Sequence, residues 1–214
     1  MLRGCEGVPS FITKRVGAQT LAEAWQTCED GQELVRLCGA MIGTEGWPTK
    51  QEILLVVCDC AETVLPYLPK EETRSRECVR VSRLWAEGKA TVGKIKEVGR
   101  IAPCAMGVDY RGDGQLPSGV PGRYAAVAAC SVADAASFAA DADAYAAAGQ
   151  AVAASESSFG FMCITNAVLS FAANFFADAA GAQGSAVWRN ARSESLKNMA
   201  DLVRARLHPT AWEI

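Results

Sequence analysis

Short polar acceptors alternate with apolar stripes through the first half of this chain. Thr20 with Glu23, Asp30 with Glu33 and Thr49 with Glu52 each set such an acceptor three residues before a carboxylate. At that spacing both side chains can satisfy orphan amides of a first helical turn. The apolar positions that follow predict helices over about 21–28, 31–42 and 50–65, the second ending near Gly43 and the third stopped by Pro66. A fourth is expected from about Lys70 to Ala86. Pro69 stands at its entry, Cys78, Val81, Leu84 and Trp85 form its stripe, and Gly88 can close it. Thr91 opens a shorter fifth.

The second half is patterned differently. After a Gly- and Pro-rich stretch at 103–122, read as a loop, alanine dominates and the expected helices run over about 123–148, 155–180 and 184–207. No period-two alternation competes with helix anywhere. The fold class predicted is all-α, an antiparallel bundle of about seven or eight helices, with an irregular N-terminal arm to about 19. An N-terminal helical half (1–102) and an alanine-rich half (123–214) are expected to pack as one domain. Phe138 and Tyr145, seven residues apart, read as packing anchors. Asn166, Ser170, Asn174 and Asp178 recur every fourth residue and trace a polar line: a wet side, a buried interhelical network or an interface. The apolar run Phe159 to Phe176 is long enough to cross a bilayer, but it carries Thr165, Asn166, Ser170 and Asn174 and lacks cationic flanks, so it reads as a core helix.

Charge divides the chain as sharply as hydropathy does. Between Arg123 and Arg189 there is no lysine or arginine, while Asp134, Asp141, Asp143, Glu156 and Asp178 are present. Lys70 to Arg100 is the reverse, a run dominated by cations. The net charge of −3 and pI near 5.3 argue against a general nucleic-acid binder, which needs a basic excess to displace counterions, and leave room only for a local basic face. Nine cysteines, an odd number set largely in apolar helical runs, fit free thiols in a reducing cytoplasm.

Few residues can carry chemistry. His208, the one histidine, precedes Pro209 near the C-terminus and suits a helix end better than a catalytic base. Cys58 and Cys60 flank Asp59, but side chains two apart on a helix project about 200° from each other, which is wrong for a shared metal. Asp59 and Glu62 share a face and are read as structural ion pairs that accept from arginines on the next helix, in preference to paired catalytic carboxylates. Arg76, Arg80 and Arg83 recur at helical spacing and form a cationic ridge. It is either a solvated face that partners Asp59 and Glu62, or a site for phosphate or an acidic protein. Gly112, Gly114 and Gly119 lack the Lys-Ser/Thr of a phosphate loop. No catalytic, metal or cofactor site is predicted.

Asp59-Cys60-Ala61-Glu62, Val64-Leu65-Pro66, Arg74-Ser75-Arg76, Arg83-Leu84-Trp85 and Gly88 together resemble the Imm-5-like family of immunity proteins, alanine-rich proteins also found in phages and prophages. The similarity covers roughly 51–92, and a looser one extends through Ser195-Leu196-Lys197 to Arg206. Ser75 stands where that family usually has proline, and Arg80 where it usually has an acidic residue. The resemblance implies an all-helical, cytoplasmic, non-enzymatic protein that neutralises a toxin or defence factor by binding, with phage counter-defence as one setting. The expected partner surface is acidic, formed by Asp134, Asp141 and Asp143, and suits a basic target such as a nuclease. A homo-oligomer is open and no membrane association is expected. The alternative is a helical sponge for a small anionic nucleotide held by Arg74, Arg76, Arg80 or Arg83.

Overall fold

A computed structural model describes residues 17–18, 20–105 and 121–210, and the side chains of all of these except 101–105 and 121–123. The described residues form helices and turns with no strand: α1 (Leu21–Thr27), α2 (Gly31–Ala40), α3 (Lys50–Glu62), a 3₁₀ turn (Leu65–Tyr67), α4 (Thr73–Ala86), α5 (Val92–Ala105), α6 (Pro121–Ala147), α7 (Ala151–Ala180) and α8 (Ala186–Arg206). The protein is an all-α helical bundle. All but the last residues of the expected arm, and 106–120 of the expected loop, lie outside the described residues.

Side chains set the helix starts. Thr20 Oγ1 accepts from the Glu23 amide at 3.1 Å, and Asp30 Oδ1 accepts from the Gln32 amide at 2.9 Å. Thr49 and Glu52 form a reciprocal capping box, in which the Thr49 amide donates to Glu52 Oε2 at 2.8 Å. Glu33 turns inward and pairs with Arg36 at 3.5 Å. The fourth helix starts at Thr73 rather than Lys70, because the Glu72 carboxylate accepts from the amides of Arg74 and Ser75 and caps it there. The fifth reaches Ala105, through Pro103, and the sixth begins at Pro121, the favoured place for proline in a helix. Ala151 starts α7 four residues earlier than expected, since Gly149, at φ 72°, turns the chain directly from one long helix into the next.

α6 is the centre of the bundle, packed against α3, α4, α5 and α7. Ala125, Ala128, Ala129, Ala133, Ala135, Ala136 and Ala139 are fully buried on it. A helix apolar on nearly all sides belongs inside, and its methyl side chains let four neighbours approach closely. α7 lies along α6 and is flanked by α8, α3 and α2. One hydrophobic cluster runs through both halves of the chain, from Trp25, Leu34, Leu54 and Ile95 to Phe161, Leu169, Met199 and Val203. By length and composition, Tyr124–Ala147 and Ala151–Ala180 could each cross a membrane. In this bundle 67% of the first such window is buried but only 39% of the second. Phe138 and Tyr145, expected as packing anchors, are instead 39% and 38% exposed. The ring of Phe138 lies over Gly160, and Phe161 fills the core.

Candidate interaction surface

The helix carrying Asp134, Asp141 and Asp143 is the central one, so most of its surface is already covered. Asp141 meets Lys96 of α5 at 2.8 Å. Asp143 meets Lys50, at the first turn of α3, at 2.5 Å and also accepts from Gln51 Nε2 at 3.3 Å. These two aspartates tie α6 to its neighbours, and their charges are largely offset within the chain. Asp134 is partly buried beside Gly99 and makes no ion pair among the described residues.

Burial raises the Asp134 carboxyl above the usual aspartate range. Its folded pKa therefore exceeds its unfolded one, so the residue opposes folding once pH rises past the unfolded value. Asp134→Asn is expected to raise the urea midpoint at pH 7 and to leave it nearly unchanged near pH 3, where both states are protonated. Equal midpoints for wild type and variant at pH 7 would contradict this.

The arginines of α4 are committed inside the chain. Arg74 pairs with Glu72 at 2.6 Å and Arg80 with Glu77 at 2.6 Å. Arg83 meets Asp59 at 2.7 Å and Glu62 at 2.8 Å, and Asp59 also receives Arg206 from the end of α8, whose Nη2 lies 3.0 Å from Oδ1. Asp59 thus joins α3, α4 and α8. Arg76 has a different role. Its Nη1 donates to the carbonyls of Pro69 and Glu72 at 3.0 and 2.7 Å, and its Nη2 to those of Leu65 and Leu68 at 3.0 and 3.1 Å. One guanidinium closes the whole turn between α3 and α4. All four candidate anion-binding arginines therefore already hold carboxylates or carbonyls that an external anion would have to replace.

Two members of the polar line on α7, Asn174 and Asp178, join interhelical hydrogen bonds. Asn166 lies against α2, where its backbone carbonyl accepts from Gln32 Nε2 at 3.0 Å. Asn174 accepts from Arg192 of α8 at 3.0 Å, and Asp178 accepts from the Trp188 ring N–H at 2.6 Å. Sequence spacing shows the line but not the α2 and α8 residues that meet it.

Cys28, Cys38, Cys58, Cys60, Cys78 and Cys130 are buried free thiols, and Cys163 is an exposed one. Burial pushes the Cys58 thiol up to about 12 and raises that of Cys60 further, so both are inert, protonated core groups at neutral pH. Among the described residues no cluster of His, Cys, Asp and Glu could hold a metal. His208 is exposed just beyond α8.

Among the described residues, an apolar surface is left uncovered on the first half of α7. Val152, Ser155, Glu156, Phe159 and Cys163 are all exposed and fall at i, i+3, i+4, i+7 and i+11, one face of the helix. Val152 is 75% exposed and Phe159 71%. The sequence run conceals this face, because in a helix this apolar the exposed positions look like the buried ones. No protein-family model, curated protein or solved structure matches the chain.

Proposed function

We propose that this is a non-enzymatic inhibitor of the immunity or counter-defence type, which neutralises a toxin or defence-system protein by binding it through the outer face of α7. One observation carries the reading: Val152 and Phe159 stand in solvent on either side of Glu156, on a hairpin of two long helices that has no cation from 124 to 188. Large apolar side chains grouped on an open helix face favour a macromolecular partner. The expected acidic surface shifts accordingly. Asp141 and Asp143 are offset by Lys96 and Lys50, so the contact is apolar at its centre, with Glu156 supplying the charge that favours a basic partner.

The resemblance of residues 51–92 to immunity proteins supports the same reading, although the residues carrying it, Asp59, Glu62, Arg76 and Arg83, hold helices together. Sequestration of a nucleotide by α4 would require its arginines to leave those partners. The test is capture of a toxin or defence protein by the full chain, inhibition of that protein in vitro, and the response to Val152→Ser combined with Phe159→Ser. The double variant is expected to weaken binding by about 30-fold or more, with the helical circular dichroism spectrum unchanged. A nucleotide that stabilises the chain, with no protein partner, would reject the proposal.

A further inference from the structure

We infer that the junction of α2, α7 and α8 binds an oxyanion, a phosphate or carboxylate group of a ligand, on the free edge of Arg192. This inference is independent of the α7 face proposed above. The starting point is an imbalance of charge. Arg74, Arg80, Arg83, Arg204 and Arg206 each meet a carboxylate within the chain. Arg192 meets none among the described residues. Its Nε donates to Asn174 Oδ1 at 3.0 Å and its Nη2 to Gln32 Oε1 at 3.2 Å, both neutral amide oxygens.

Those two bonds occupy the side-on edge of the guanidinium. Among the described residues nothing meets Nη1 or the second proton of Nη2, which form the end-on fork that matches two oxygens of a phosphate or carboxylate. The fork is held in place, because Gln32 is itself fixed by donating to the Asn166 carbonyl, and Asn174 lies on a well-packed helix. A second cation stands nearby. In the orientation that satisfies both ends of its amide, Asn166 accepts from Arg36 Nη2 at 3.0 Å and donates to the Gln32 carbonyl at 3.3 Å. Arg36 and Gln32 are one turn apart on α2, so Arg36 and Arg192 bracket a strip of amides.

Arg76 also meets no carboxylate among the described residues, but it spends both Nη groups on four carbonyls, whereas Arg192 makes only two bonds among them. An amide could bridge the same two acceptors, whereas a half-buried guanidinium without a counterion carries a desolvation cost and gains no ion pair. Two acids on the same helices have other partners: Asp178 of α7 meets the Trp188 ring N–H at 2.6 Å, and Glu33 of α2 meets Arg36 at 3.5 Å. A fixed, partly desolvated cation with one bidentate edge open is preorganised for an anion supplied from outside.

The experiment is a titration of the full chain with inorganic phosphate and, separately, with sodium acetate, at ionic strength held constant with sodium chloride. The side-chain amide signals of Gln32 and Asn174 are followed by nuclear magnetic resonance. A saturable shift of both signals is expected in the wild type, with a midpoint on the order of millimolar, typical of a single weak contact. Response to phosphate alone assigns a phosphoryl ligand, and response to acetate alone a carboxylate. Arg192→Gln should abolish the response while the helical spectrum is retained. If that variant does not fold, Arg192→Lys keeps the charge but loses the fork and should weaken binding by about tenfold. Absence of a saturable shift with either anion would overturn the inference, as would an unchanged midpoint in the folded Arg192→Gln or Arg192→Lys protein.

Discussion

Arg76→Ala is expected to lower the unfolding free energy by about 2–4 kcal/mol, a large effect for a surface arginine. The reason is the number of acceptors left behind. Four backbone carbonyls, those of Leu65, Leu68, Pro69 and Glu72, converge on this one side chain at 2.7–3.1 Å. A truncated side chain leaves them to water, which reaches the Pro69 carbonyl readily and the part-buried ones less well. The loss is therefore smaller than four full hydrogen bonds and larger than an exposed ion pair. Arg74→Ala removes an exposed local pair with Glu72 and should cost less than about 1 kcal/mol. Arg76→Lys should fall between the two, since an ammonium has three donors but not the planar fork that spans the turn. Urea unfolding of the three variants gives the order directly. An Arg76→Ala protein as stable as Arg74→Ala would mean that the turn is not held by this side chain, and would return Arg76 to the candidates for an external anion.

The capped helix starts and the alanine-rich helices could be read in the sequence because they depend on residues close in the chain. Thr20, Asp30 and Thr49 act on amides two or three residues away, and Asp59 and Glu62 find Arg83 on the next helix. Arg206 reaches the same Asp59 from far along the chain, and no local pattern marks that. Arg76 was hidden for a different reason. Its acceptors are backbone carbonyls, which every residue has, so a clamp and a solvated ridge look alike in sequence. The absence of cations between Arg123 and Arg189 invited an acidic partner surface, yet its first cause is burial. From Tyr124 onward α6 carries no lysine or arginine because it is enclosed by α3, α4, α5 and α7. The aspartates that remain sit where α3 and α5 can supply a cation or, for Asp134, where α5 half covers the carboxyl. The α7 face around Phe159 was invisible for the opposite reason, since exposure cannot be read from an apolar residue in an apolar helix.

Gly31→Ala is expected to destabilise the protein by about 1–3 kcal/mol, against the usual direction of such a change. In an isolated helix, alanine in place of glycine gains roughly 0.5–1 kcal/mol. Here the added methyl would lie 2.8 Å from Met199 Cβ, 2.9 Å from the Ala200 amide nitrogen and 3.0 Å from the Met199 carbonyl carbon. Two of those atoms are backbone, and both residues are buried, Met199 at 2% exposure and Ala200 at 0%. Only a shift of α8 away from α2 can relieve the overlap. Gly39→Ala provides the control within the same helix. Its methyl would overlap the Met162 sulfur at 1.5 Å and the terminal Cε at 2.3 Å, a closer approach on paper, but these atoms belong to the outer part of a flexible thioether that can take another rotamer. Gly39→Ala should therefore stay within about 1 kcal/mol of wild type, its packing cost partly offset by helix propensity. Moving α8 also moves Arg192, two turns before Met199 on the same helix face, so Gly31→Ala should weaken the phosphate or acetate response as well, while Gly39→Ala should not. A Gly31→Ala protein with a higher urea midpoint than wild type would show that α2 and α8 are not in this close contact, and the positions of Gln32 and Arg192 relative to each other would fall with it.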